Sequence, residues 1–422
     1  MEIYHTIAVL IFLTMLFAYL NARFIKWPST VGIMALSLIS SILLVAFGFY
    51  VPWFANEAKT LISGINFEVV LLEIMLSFLL FAGAIHIDYD KLKRQLIPVL
   101  VLAVFGTLIS TAIVGGLSYY LFSLFNEQAS FIHCLLFGAL ISPTDPIAVM
   151  GILKKAGVPE TLELKIAGES LFNDGVAVVI FLTILQIATN NNSDISASDV
   201  GLLFLREAVG GLLFGAVLGY GGYLALKSID NYRVEVLITL SVVMCGYSLA
   251  NAIHVSAPLA MVVTGILIGN KGRVAGISEE TRDYLEKFWS LIDEIFNALL
   301  FMLIGFEMLV IKVESTMLVI GSILVFVVLI ARYISVLLPS GILRGKMQLE
   351  KNAVLILTWG GLRGGISVAL ALSLPQNMHR DNWVLVTYII VIFSIIVQGL
   401  SVSKLAKRLL PSSAISENKP SV

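Results

Sequence analysis

The chain has 422 residues, of which 58% are hydrophobic and 13% charged, with a formal net charge of −1; an ordinary soluble domain carries about 25% charged residues. A soluble fold cannot hide that much apolar surface, because surface shrinks too slowly with size, so lipid has to be the solvent. The balanced charge gives no sign of a nucleic-acid partner, and the two cysteines, Cys134 and Cys245, lie in apolar runs, where they read as small buried hydrophobes rather than a disulfide framework.

About thirteen apolar stretches follow one another, each near the roughly 20 residues a bilayer requires. They cover 6–22, 31–50, 65–85, 97–122, 131–153, 166–189, 200–226, 235–252, 257–270, 288–310, 316–339, 352–374 and 383–403. Only Glu2 and His5 precede the first as charged or titratable residues, so it reads as a retained span rather than a signal peptide. Asn190 to Asp199 is a polar loop, and no low-complexity linker divides the chain. The expectation is an all-α polytopic membrane protein: one transmembrane unit over 1–404 and a short tail, 405–422.

The basic residues test this segmentation. With the N-terminus outside, Lys59, Lys312 and Arg380 are the outside Lys and Arg, while Arg206, Arg332 and Arg363 fall within spans. The rest of the 27 lie in inside loops or at the C-terminus. A missed or extra span in the middle would invert the later half and destroy this bias. The expected location is a cell membrane, with the C-terminus in the cytoplasm.

Ionised side chains cost at least about 2.5 kcal/mol at the bilayer centre, so each needs a partner or a purpose. The fifth span reads FGALISPTDPIAVMG, with Asp145 between Pro143 and Pro146. Each proline removes a backbone donor and clashes with the preceding turn, so the helix is expected to break and leave free carbonyls beside Thr144 and Asp145. Such backbone is tolerated at that depth where it is buried or lines a cavity; a merely kinked helix is the bland alternative. The sixth span carries Glu169, Ser170, Asn173 and Asp174, pairing 169 with 173 and 170 with 174 on adjacent helix faces. On the tenth, Asp293, Glu294 and Asn297 read as structural, or as facing an interface cavity. The twelfth reads TWGGLRGGISVALAL, placing Arg363 between two Gly-Gly pairs. Glycine costs about 1 kcal/mol per residue inside a helix, so a second break is expected there. If the seventh span is a linker, the remaining spans form two six-helix halves, broken at matching fifth positions and inverted in the membrane. That is the inverted-repeat transporter pattern, with the site where the broken helices cross.

SPTDP, GESLFNDG and WGGLRGG, in this order, resemble the NhaP-type sodium/proton antiporters of the cation/proton antiporter 1 family, over essentially the whole chain. The resemblance implies an NhaA-like homodimer moving by an elevator-like mechanism. Spans 1–3 and 8–10 would form the dimerisation part, 4–6 and 11–13 the mobile core, and span 7 the linker. It makes Asp174 the main carrier of cation and proton, with Asp145, Ser170, the Thr144 main chain and Asn173 completing the site. Asn173 before Asp174 implies electroneutral one-for-one exchange. Glu169 looks like the family's structural glutamate, paired with an arginine of the eleventh span, Arg332. That assignment leaves Arg363 to offset carbonyl charge at the twelfth-span break. Many relatives carry an acid in the third span at the position of Ala82; here the nearest are Glu73, a candidate accessory acid, and Glu68.

The chemistry is consistent with that implication. Na⁺ or Li⁺ is a hard cation that takes carboxylate, hydroxyl and carbonyl oxygens, and a proton competes for the same carboxylate, so no separate cofactor is expected. A potassium/proton exchanger of the same fold is the runner-up. A passive cation channel is the rival of another class, and proton-coupled cation movement separates it from an exchanger.

Overall fold

The computed structural model describes residues 2–48, 69–189, 197–274, 279–311, 313–342 and 352–409. Backbone polar groups in lipid must be satisfied within the chain, and the described residues are helical apart from turns and one isolated bridge. In chain order the helices are α1 Glu2–Leu20, continued by a wide turn Asn21–Ile25, and α2 Ser29–Gly48. Next come α3 Val70–Ile85 and α4 Tyr89–Leu124. The fifth span is two pieces, α5a Phe131–Ile141 and α5b Ile147–Ala156. Then follow α6 Glu160–Thr189, α7 Ala197–Lys227, α8 Tyr232–Ala252, α9 Ala257–Val274, α10 Glu279–Glu307 and α11 Ser315–Ile342. The twelfth span is again split, into α12a Ala353–Trp359 and α12b Gly365–Leu372, and α13 runs over Arg380–Leu409. Among the described residues nine helices are long and apolar enough to cross a membrane, with shorter apolar helices beside them.

The boundaries follow local chemistry. Asp88 caps α4, its side chain accepting from the amides of Asp90 at 3.0 Å and Lys91 at 3.2 Å. Ser130 accepts from His133 N–H at 3.3 Å to start α5a, as expected where the first amides of a helix lack partners. Within α4, Pro98 supplies no N–H, and the helix widens into a π turn at Leu102–Gly106 before resuming. Helix α4 therefore starts eight residues before the expected 97, because its amphipathic first turns are capped rather than apolar.

Several expectations shift. Asn190–Asp199 is not all loop: 190–196 lie outside the described residues, and α7 already begins at Ala197. The boundary at 404 cuts α13, which continues to Leu409; the rest of the tail, 410–422, lies outside the described residues, as do Lys59, Glu68 and Lys312. Cys134 is buried as expected but Cys245 is exposed on α8, because an apolar run in a lipid-facing helix need not bury every position.

The helices pack most extensively within two groups. In one, α1, α2, α3, α8, α9 and α10 contact each other, with α7 laid along α9; in the other, α4, α5a, α5b, α6, α11, α12a, α12b and α13 do so. Small residues permit the closest approaches: a β-carbon at Gly138 of α5a would stand 2.4 Å from the Thr111 carbonyl of α4. The groups meet where α6 touches α3, α7 and α9, where α12b touches α3 and α10, and where α2 touches α5b and α13. That seam leads to the two broken helices.

Candidate ion-binding site

Helix α5a stops at Ile141 and α5b starts at Ile147 because Pro143 and Pro146 cannot donate to the helix ladder. Helix α12a stops at Trp359 and α12b starts at Gly365, with Gly360, Gly361 and Gly364 inside the break. The two breaks cross: Asp145 N–H donates to the Leu362 carbonyl at 2.7 Å, forming an antiparallel bridge. A β-carbon at Gly364 would lie 2.4 Å from an Asp145 carboxylate oxygen. Glycine there lets the positive N-terminal end of α12b approach that carboxylate.

Helix α6 supplies the third wall. The Thr144 and Ser170 hydroxyls are 2.9 Å apart. The Asn173 amide clasps Thr144 from two directions, donating to its hydroxyl at 2.9 Å and accepting from its backbone N–H at 3.3 Å. Ser170 and Asn173 thus act on one residue of the unwound strand, which separates Asn173 from Glu169, its expected i,i+4 partner. Asn173 sits in the site, but its amide is spent on positioning Thr144.

Asp174, one residue along, is 7% exposed, and among the described residues no hydrogen bond reaches its carboxyl. It lies within electrostatic reach of the half-buried Asp145. Two carboxyls, two hydroxyls and an unwound backbone therefore converge on one locus, an all-oxygen environment suited to a hard monovalent cation. Burial and a neighbouring like charge are the conditions under which such a carboxyl also holds a proton.

Glu169 points away from this locus. Both its carboxylate oxygens accept from Arg332, Oε1 from Nη1 and Oε2 from Nη2, the latter at 3.0 Å. Arg332 Nη2 also donates to the Leu357 carbonyl at 3.3 Å, near the C-terminal end of α12a. Arg363 does the corresponding work across the crossing: its Nη1 donates to the carbonyls of Ser142 and of Pro143, the second at 2.9 Å. Those carbonyls end the fifth-span half-helix α5a, not the break in which Arg363 itself sits, which corrects the sequence expectation. Each arginine places a cation at the negative end of a half-helix. Glu73 lies elsewhere, exposed in the first turns of α3 with its charge facing Tyr247 of α8.

Sequence reasoning passed over two residues of α13. Ser394 accepts from Arg363 N–H at 2.9 Å, and Gln398 donates to the Trp359 carbonyl at 3.0 Å. They hold the two sides of the α12 break. Two polar residues four apart in an apolar span were the available signal.

Comparison with known proteins gives concordant findings. A family model described as "Sodium/hydrogen exchanger, transmembrane" matches residues 11–408. The chain is 48% identical over 410 residues to the Na(+)/H(+) antiporter NhaP of Pseudomonas aeruginosa, covering 96% of each. It is 34% identical over 393 residues to the Na(+)/H(+) antiporter NhaH of Halobacillus dabanensis, covering 92% of this chain and 93% of that one. The fold is similar to that of the sodium proton antiporter MjNhaP1 from Methanocaldococcus jannaschii, with a TM-score of 0.76 at 19% identity, covering 97% of this chain and 99% of that one.

Proposed function

The chain belongs to the sodium/hydrogen exchanger family, among its NhaP-type (cation/proton antiporter 1) members, and from this we propose that it exchanges Na⁺ for H⁺ on Asp174. The observation that carries the reading is the Asp174 carboxyl: buried, without a hydrogen-bond donor among the described residues, and beside Asp145, Ser170 and Thr144 at the crossing of two broken helices. A structural carboxylate at that depth would be paired, as Glu169 is; one left unpaired is available to a transported ion.

In this account Na⁺ sits on Asp174 and Asp145 with the Ser170 hydroxyl and the Thr144 hydroxyl or main chain, and the proton replaces it on Asp174. Asn173 takes no proton and keeps Thr144 in place, so one charge moves each way and the exchange is electroneutral. Alternating access follows if the helix group carrying the site, α4–α6 with α11–α13, slides against the other as a unit. The helices pack more extensively within each group than across the seam, which favours such sliding. Two six-helix halves inverted about the membrane plane, thirteen spans in all, account for paired breaks and for an arginine at each half-helix C-terminus. The sliding group needs a fixed partner in the membrane, which a second copy docked on the α1–α3 and α8–α10 group would supply. The Lys and Arg distribution favours an outside N-terminus and a cytoplasmic C-terminus in a cell membrane.

The test uses purified protein in liposomes with an imposed pH gradient and a pH-sensitive dye. Na⁺ and Li⁺ should dissipate the gradient in wild type and not in Asp174→Asn. Dissipation by K⁺ in place of Na⁺ would change the substrate, and equal dissipation by Asp174→Asn would overturn the assignment.

A further inference from the structure

Helix α10 crosses the seam with one more carboxylate at mid-span. Asp293 is half-buried, and its charged neighbours are the acids Asp145 and Glu294. An acid at that depth facing other acids is held neutral by a proton or balanced by a cation. Asn297, one turn on, is 3% exposed and turned onto Asp293: its Nδ2 donates to the Asp293 carbonyl at 2.7 Å and to Oδ1 at 3.1 Å. The amide oxygen of Asn297, on the same carbon, is buried without a partner among the described residues. A buried carbonyl oxygen left unpaired costs about 1–3 kcal/mol unless a cation or donor reaches it.

The helix face fixes where this pair looks. Asp293, Asn297 and Leu300 follow at i, i+4 and i+7, so they share one stripe. Leu300 packs on Gly365 at the start of α12b, where a β-carbon would come within 2.4 Å of it. The preceding residue, Gly364, lies against the Asp145 carboxylate. The stripe thus faces the crossing from the opposite helix group, with Asp293 within electrostatic reach of Asp145 and the buried Asn297 amide one turn further on.

We propose that Asp293 and Asn297 form a second, transient site for the transported monovalent cation, on the helix group opposite the carrier site, which captures the cation and hands it to Asp145 and Asp174. This rests on the reading of Asp174 as the carrier and adds a second station to it. A carboxylate and an amide oxygen are the oxygen donors a hard cation takes, and two oxygens alone bind it loosely enough for transfer. A charge lining a low-dielectric cleft raises local counter-ion concentration about tenfold or more.

The test has two arms, both on the full-length protein in liposomes. In the first, Asp293→Asn should raise the KM for Na⁺ and for Li⁺ about fivefold to tenfold while the maximal rate stays within about twofold, and Asp293→Glu should restore KM. An unchanged KM in Asp293→Asn overturns the proposal. Should that variant not fold, Asn297→Leu decides the same point: a KM raised about threefold supports the site and an unchanged one overturns it. In the second, the fast charge displacement that follows a Na⁺ jump is recorded on a solid-supported membrane. Asp174→Asn should keep a small Na⁺-induced displacement that the Asp174→Asn/Asp293→Asn double variant lacks. No displacement in Asp174→Asn overturns the second station and leaves the carrier reading intact. Steady exchange by Asp174→Asn overturns the carrier reading instead, and the KM arm then still decides Asp293.

Discussion

Glu169 and Arg332 offer the sharpest stability experiment, because their geometry separates holding from carrying. Glu169 is 1% exposed, and both its oxygens are bound by the Arg332 guanidinium. Removing either partner strands a charge in low dielectric, costing about 3–5 kcal/mol. At a few degrees or less per kcal/mol for a chain of this size, Glu169→Gln or Arg332→Met should lower the melting temperature in detergent by on the order of 5–10 °C. The arginine variant also loses its bond to the Leu357 carbonyl, but that loss recurs in the double variant and cancels in the cycle. Glu169→Gln/Arg332→Met leaves no orphan charge and should recover about 2 kcal/mol of the summed loss. The assay is thermal unfolding followed by tryptophan fluorescence on all four proteins. A double variant whose loss equals the sum of the singles within about 0.5 kcal/mol would refute the pairing.

Other variants address the remaining parts. Asp174→Asn should abolish exchange yet leave the melting temperature within a degree or two, since no hydrogen bond is lost; a large drop would make Asp174 structural. Collapsing the membrane potential with valinomycin and potassium should leave the initial Na⁺/H⁺ rate unchanged, and a clear dependence would mean that a second proton moves. Asn173→Ala removes both Asn173 bonds to Thr144, leaving only the Ser170 hydroxyl on it, and should raise the KM for Na⁺ about tenfold, given about 1–1.5 kcal/mol of lost positioning; an unaffected KM would remove Thr144 from the site. Arg363→Met leaves two carbonyls at the end of α5a unbound and should destabilise the protein by about 2–4 kcal/mol, with Arg363→Lys rescuing part, because a lysine offers a point charge rather than a fork.

Much of this was legible because membranes impose strict rules. Apolar runs of bilayer length located the spans where the chain is described, although polar first turns carry α4 eight and α10 nine residues further toward the N-terminus than those runs. The breaks were legible from Pro143, Pro146 and the paired glycines around Arg363, since backbone chemistry alone dictates them. What each polar side chain touches was not. Motif resemblance put Asn173 among the ion ligands, whereas a threonine brought close by the α5 break captures its amide. Pairing Glu169 with Arg332 left Arg363 to its own break, whereas the crossing delivers the carbonyls of another helix. Contacts between segments more than two hundred residues apart leave no local trace. Ser394 and Gln398 went unread because a hydroxyl or an amide in an apolar span looks the same whether it bonds its own helix or a neighbour.

The central claim is that sodium and proton compete for one carboxyl, and the dependence of the apparent KM for Na⁺ on pH tests it most directly. With liposomes held at equal pH on both faces and exchange followed by ²²Na⁺ uptake, acidification should raise KM while the maximal rate at saturating Na⁺ stays constant. In the acid limit KM should rise tenfold per pH unit, as one proton displacing one cation requires. A KM independent of pH, with the maximal rate falling instead, would mean that the proton binds elsewhere and would contradict the account.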